Sequence, residues 1–143
     1  MRVLRIALYA LTGAGLIVNA VIHLQLAATF DAVAGPLLSQ GDLFRIQAAA
    51  GILVAVALVI ARRPWTAAIA AIAVIIAVGG LGMLVLSTLV PLDLTALGLP
   101  VIFEPVWYSD KVIAALAQGL AALAAAALIV VERRRRAAVP RTP

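Results

Sequence analysis

Few residues in this chain can do chemistry, and their spacing lets several of them meet. The stretch "GLIVNAVIHLQLAATF", residues 15–30, holds the single histidine, His23, four residues after Asn19. A matching carboxylate is Glu104 in "FEPVWYSDK", which also carries Trp107, Tyr108, Asp110 and Lys111. Imidazole beside a carboxylate transfers protons near neutral pH. Arg45 stands three residues after Asp42, at helical spacing for an ion pair, and Gln47 follows it. Two outcomes are open. The charged pairs anchor a loop to helices, or they frame a polar pocket in which His23 and Glu104 act as acid–base partners. The candidate ligand-binding residues are His23, Asn19, Gln47, Glu104, Trp107, Tyr108, Lys111 and Arg45, and no catalytic residue is assigned.

Other chemistries find no support. A single histidine cannot give bis-histidine haem ligation, and scattered carboxylates make a poor metal set, so neither a metal nor a cofactor is expected. There are no cysteines, which excludes disulfides, thiolate metal sites and cysteine nucleophiles. No glycine-rich phosphate loop follows a strand, and no Ser-His-Asp pattern has a recognisable context.

The elements that position these residues follow from composition. The chain has 143 residues, 66% hydrophobic and only 12% charged, with mean hydropathy +1.19. Soluble domains are roughly 45–50% apolar and about 25% charged. A soluble fold of this size could not bury so much apolar surface, so lipid is the solvent for most of it. A spanning helix needs about 20 mostly apolar residues. Four segments qualify, at about 4–29, 43–61, 65–90 and 112–131, followed by a basic tail at 133–143. Gly35-Pro36, Arg62-Arg63-Pro64 and Pro91 through Pro105 supply the turn signals between them. The initial apolar run is longer than a secretory h-region, and Asn19 and His23 interrupt it, so it is expected to be retained.

Only helices and closed barrels satisfy the backbone in lipid. These segments are too long for barrel strands and lack their alternation. The expected fold is all-α, a four-helix up-down transmembrane bundle. Arg2, Arg5, Arg62, Arg63, Arg133 to Arg136 and Arg141 gather at one end, while the other has Arg45 and Lys111 among five acidic residues. The positive-inside rule then places both termini in the cytoplasm of a bacterial plasma membrane. The pI near 11.1 is therefore read as topology and contact with anionic lipid at Arg133, Arg134, Arg135 and Arg136, not as nucleic-acid binding. The loop at 91–111 is apolar and is expected to fold onto the outer mouth, with Trp107 and Tyr108 at headgroup level and a short interfacial helix as one form.

At 100° per residue, Tyr9, Thr12, Asn19 and His23 share a face with Gly15 beside them. That stripe should face the bundle interior, with Gln47, Ser87, Thr88 and Gln118 as partners. Nineteen residues separate Leu4 from His23, about 28 Å of helix. His23 is thus expected near the outer edge of the membrane, with nearly all the polar residues except the arginines. Small residues at Ala114, Ala121 and Ala125, at Gly79, Gly80 and Gly82, and at Ala48, Gly51 and Ala55 suit close helix packing, either within the bundle or across a homodimer seam.

Three strings together, "HLQLAATF", "GDLFRIQAA" and "FEPVWYSDK", resemble a group of uncharacterised small four-span membrane proteins of actinobacteria. The likeness covers most of the chain, and the layout is similar to that of DoxX-like membrane proteins. This resemblance marks His23, Gln47, Glu104, Trp107, Tyr108 and Lys111, and it implies no particular activity. The leading expectation is an accessory or interaction subunit, more a non-enzyme than an enzyme, with the lipid bilayer and a membrane-protein partner around it. The alternative is binding or catalysis on a lipid- or quinone-like molecule at a pocket around His23 and Glu104. A transporter or channel finds least support, because the centre of the bundle lacks charged groups.

Overall fold

Apolar, Ala-rich segments with no interior proline form the helices, and the breakers fall between them. The computed structural model describes residues 2–62 and 64–137. Four helices account for most of it: α1 (Arg2–Ala27), α2 (Gln40–Ile60), α3 (Thr66–Leu89) and α4 (Ser109–Ala137). All four are long and apolar enough to cross a membrane. The chain is an all-α four-helix bundle whose outward faces carry exposed Leu53, Val59, Ile75 and Leu123. Such faces suit lipid rather than water. The tail expected at 133–143 begins as helix, because α4 continues through the four arginines to Ala137; residues 138–143 lie outside the described residues.

Each boundary has a local cause. Ser39 caps α2, its hydroxyl accepting from the Asp42 amide while the Asp42 side chain accepts from the Ser39 amide. This reciprocal cap starts the helix three residues before Leu43. Pro91 disfavours helical backbone at the residue before it, and Val90 is extended there.

The helices form a ring in which α1 touches α2 and α4, and α3 touches α4 closely. Small residues allow this. A side chain at Gly15 would meet the Ala117 carbonyl at 2.7 Å and the Ala121 Cβ at 2.9 Å. Gly51 meets the Leu16 carbonyl in the same way, at 3.3 Å. Ala48, Ala70, Ala73, Ala77, Ala121 and Ala125 are fully buried. The alanine strips are thus occupied inside the bundle. The pair α2 and α3 is different: these neighbours make the least contact in the ring. Gly79 and Gly82, expected to pack helices, have nothing near them, and only Gly80 is in close approach.

Two loops close the end of the bundle opposite the arginines. Residues 92–102 form a small antiparallel hairpin, β1 (Leu92–Asp93) with β2 (Val101–Ile102), around a 3-10 turn at Thr95–Leu97. Of the forms open to this loop, an interfacial helix among them, the chain takes a hairpin. The Asp93 side chain accepts from the Thr95 amide and hydroxyl, fixing the turn that a helix would not need. The first loop joins it through the amides of Leu37 and Leu38, which donate to the Gly98 carbonyl.

The other end carries an overlooked carboxylate. Glu132 is buried, with Arg5 Nη1 at 3.7 Å and Arg135 Nη1 at 3.9 Å. The Arg5 guanidinium also lies over the Tyr9 ring, and the Tyr9 hydroxyl donates to Thr66 Oγ1. A sequence survey that counted only arginines here missed this clasp between α1, α3 and α4.

Gly15 and Gly13 separate packing from helix propensity. Gly15→Leu should lower the unfolding free energy in detergent by about 1–3 kcal/mol through overpacking. Gly13 has no neighbour within 4 Å, so Gly13→Leu should leave it within about 0.5 kcal/mol. Equal melting curves for the two variants would refute the close α1–α4 crossing.

Candidate functional site

The loose α2–α3 pair leaves a cavity of about 500 Å³ at the loop end of the bundle. Its volume falls in the usual range for small-molecule sites. The walls are apolar: Ile22 and Leu26 from α1, Leu43, Phe44 and Ile46 from α2, and Met83 and Leu84 from α3. Leu94, Leu97, Leu99 and Ile102 of the hairpin region close it above. Polar groups reach in from His23, Gln40, Gln47, Ser87, Glu104, Tyr108 and Lys111.

Glu104 organises the polar end. Its carboxylate accepts from Gln40 Nε2 of α2 and from the Tyr108 hydroxyl at 3.3 Å. Lys111 Nζ, on α4, lies 3.9 Å from the carboxylate and donates to the Glu104 carbonyl. The Glu104 amide donates to the Ser87 carbonyl of α3 at 2.8 Å. One residue outside the helices therefore ties α2, α3 and α4 together. Lys111 is 3% exposed and sits over the Trp107 ring at 5.4 Å, so a buried ammonium is balanced by a carboxylate and an aromatic face. Burial, with the Glu104 carboxylate beside it, pushes the Tyr108 phenol above its ordinary pKa, so Tyr108 stays a donor.

His23 takes a separate wall. Its Nδ1 lies 2.9 Å from the Asn19 carbonyl, and its ring packs edge-on against Phe44. No hydrogen bond joins His23 to Glu104 among the described residues. The two share a cavity, and the acid–base contact, one of the two outcomes left open by the sequence, is not made. Gln47 Nε2 donates to the Ile76 carbonyl at 3.3 Å.

Five of the eight sequence candidates line the cavity: His23, Gln47, Glu104, Tyr108 and Lys111. Asn19, Trp107 and Arg45 do not. Asn19 is buried, and its Oδ1 has no hydrogen-bond partner among the described residues. Trp107 supports Lys111 from outside. Arg45 turns to the surface, where it grips Asp31 at 2.7 and 2.9 Å and Asp42 at 3.3 Å. That fork–carboxylate contact holds the Asp31 carboxyl below its usual range.

The interior stripe of α1 points inward as its periodicity requires, with Thr12 and Asn19 buried. Its expected partners on other helices are not used. Thr12, Ser87 and Thr88 donate to carbonyls of their own helices. Such local bonds need no matching of two helices and compete well. The Gln118 side chain has no hydrogen-bond partner among the described residues, and Gly80 leaves room for it and for Gln47.

Sequence reasoning missed Gln40, Phe44 and Met83. The signal for Gln40 was the "SQGD" cap, which puts residue 40 on the helix. No family model, curated protein or solved structure matches this chain.

A double substitution tests the Glu104 knot. Glu104→Gln leaves the buried Lys111 without its counter-charge and should cost about 3–5 kcal/mol. Adding Lys111→Met to that variant should restore most of the loss. A double variant as unstable as the sum of its singles would show the pair to be uncoupled.

Proposed function

We propose that this protein binds an amphiphilic, lipid- or quinone-like molecule in the cavity between α2 and α3. The observation that carries the reading is the union of apolar walls with one polar end. The cavity lies beside the α2–α3 pair, the neighbours that touch least, and in this reading entry is through the gap between them. A ligand can slide in from the bilayer without its tail crossing water. Its chain would lie along Ile46, Met83 and Leu84, with its head among the polar groups of His23, Glu104 and Lys111. Gln47 lies seven residues beyond Gln40 along α2, about 10 Å deeper, so head and body have distinct depths.

In this reading the protein resides in a bacterial plasma membrane with its arginine end in the cytoplasm, following the positive-inside rule. The cavity then opens in the outer half of the bilayer. A role as accessory subunit draws less support, because the small-residue strips of α2 and α4 are filled within the bundle, and of the α3 strip only Gly79 and Gly82 are left open.

Gly79 gives a clean test. It lines the cavity, and a side chain there meets nothing within 4 Å. Gly79→Phe should therefore fill the cavity while preserving the fold, and Gly82→Phe, outside the cavity, is its control. Native mass spectrometry of protein drawn from bacterial membranes in mild detergent should show a bound amphiphile on the wild type and on Gly82→Phe. Gly79→Phe should lose it. An adduct that survives Gly79→Phe, or no adduct on any form, would contradict the proposal.

A further inference from the structure

The hydrogen-bonding groups of the cavity differ from wall to wall, and the His23 wall narrows the ligand's chemistry. Each donor group along its polar surface gives one proton to the protein, while Lys111 Nζ, Gln40 Nε2 and Gln47 Nε2 keep further N–H groups, none of them bonded to the His23 ring. Gln40 Nε2 and the Tyr108 hydroxyl serve the Glu104 carboxylate. Lys111 Nζ serves the Glu104 carbonyl. Gln47 Nε2 serves the Ile76 carbonyl, and Ser87 Oγ serves the Leu84 carbonyl.

The acceptors are less engaged. His23 Nδ1 faces a carbonyl oxygen, which can only accept, so Nδ1 carries the proton. In the neutral imidazole, the form favoured at neutral pH, Nε2 is then an acceptor. No donor among the described residues reaches it, nor Gln40 Oε1 or Gln47 Oε1. Charge is balanced as well, since the only formal charges on the lining are Glu104 and Lys111, paired at 3.9 Å. An anionic head would compete with Glu104 for Lys111, and a cationic one would compete with Lys111 for Glu104.

We infer that the cavity selects a neutral amphiphile bearing a hydroxyl donor, an alcohol or phenol, and that His23 Nε2 accepts its proton in a hydrogen bond. This rests on the ligand-binding reading of the same cavity. An apolar tail fills the space beside Met83 and Leu84, and the hydroxyl sits against the His23 wall. A head with carbonyl or ether oxygens alone has no proton to give to His23 Nε2 and would leave that acceptor unpaired.

A matched pair of probes decides the matter. Para-octylphenol and its methyl ether share a ring and a tail, and differ in the donor. Radiolabelled probes are titrated onto the full chain in phosphatidylcholine nanodiscs, with empty discs subtracted. The phenol should bind about tenfold tighter than the ether. His23→Phe should bring the phenol down to the affinity of the ether, and His23→Gln, which restores an acceptor, should regain part of the preference. Para-octylbenzoate, the anionic analogue, should bind more weakly than the phenol.

Equal binding of phenol and ether to the wild type, with both lost in Gly79→Phe, would overturn the hydroxyl inference and leave the cavity reading standing. Tighter binding of the benzoate would overturn the neutral head. No binding above empty discs, or binding unchanged in Gly79→Phe, would sink the cavity reading itself.

Discussion

The loop end of this bundle depends on one carboxylate. Glu104 sits outside the helices, yet it gathers Gln40 from α2 and Lys111 from α4, while its amide holds the Ser87 carbonyl of α3. In an apolar setting an unpaired charge or amide is costly, so these groups have strong reason to stay together. Because the knot spans three helices, α2 and α3 can part below it without the end of the bundle coming open. The hairpin lid rests on the same knot, since Val101 and Ile102 lead directly into it.

The rest of the molecule shows how a gap can persist in a packed bundle. Lipid gives helices no hydrophobic reason to associate, so close approach of small residues must do it. The α1–α4 and α1–α2 contacts have that means at Gly15, Gly51, Ala121 and Ala125. Along α3, Ala70, Ala73 and Ala77 are fully buried near the arginine end. Beyond them the helix presents Gly79, Met83 and Leu84 to the cavity instead. Packing is therefore dense toward the arginines, where Glu132 clasps Arg5 and Arg135, and open toward the lid.

Much of the fold was legible in the sequence, because length and hydropathy alone identify helices in lipid. The inward face of α1 followed from the period of Tyr9, Thr12, Asn19 and His23. The site was legible only in part. Composition marked "FEPVWYSDK" as unusual, but Glu104 could equally have turned to Arg45. The choice depended on Asp31 lying in reach of Arg45, a contact across a loop that no helical spacing encodes. The hairpin at 92–102 was hidden because its two-residue strands are too short to show a period. Gly79 and Gly80 look alike in sequence, yet one borders empty space and the other makes room for two glutamine side chains. Helical phase separates their directions by about 100°, and only the packed bundle says which direction is filled.

The central claim is that an amphiphile occupies the space between α2 and α3. Met83 borders that space, and the only other methionine is Met1. Cells grown with a diazirine analogue of methionine would place a photoreactive group at the cavity wall. After illumination of intact membranes, mass spectrometry of the peptide containing residue 83 reads what was there. The account predicts a single enriched amphiphile coupled at Met83, distinct from the bulk phospholipid composition. Adducts that mirror bulk phospholipid would contradict it, because Met83 would then face ordinary bilayer.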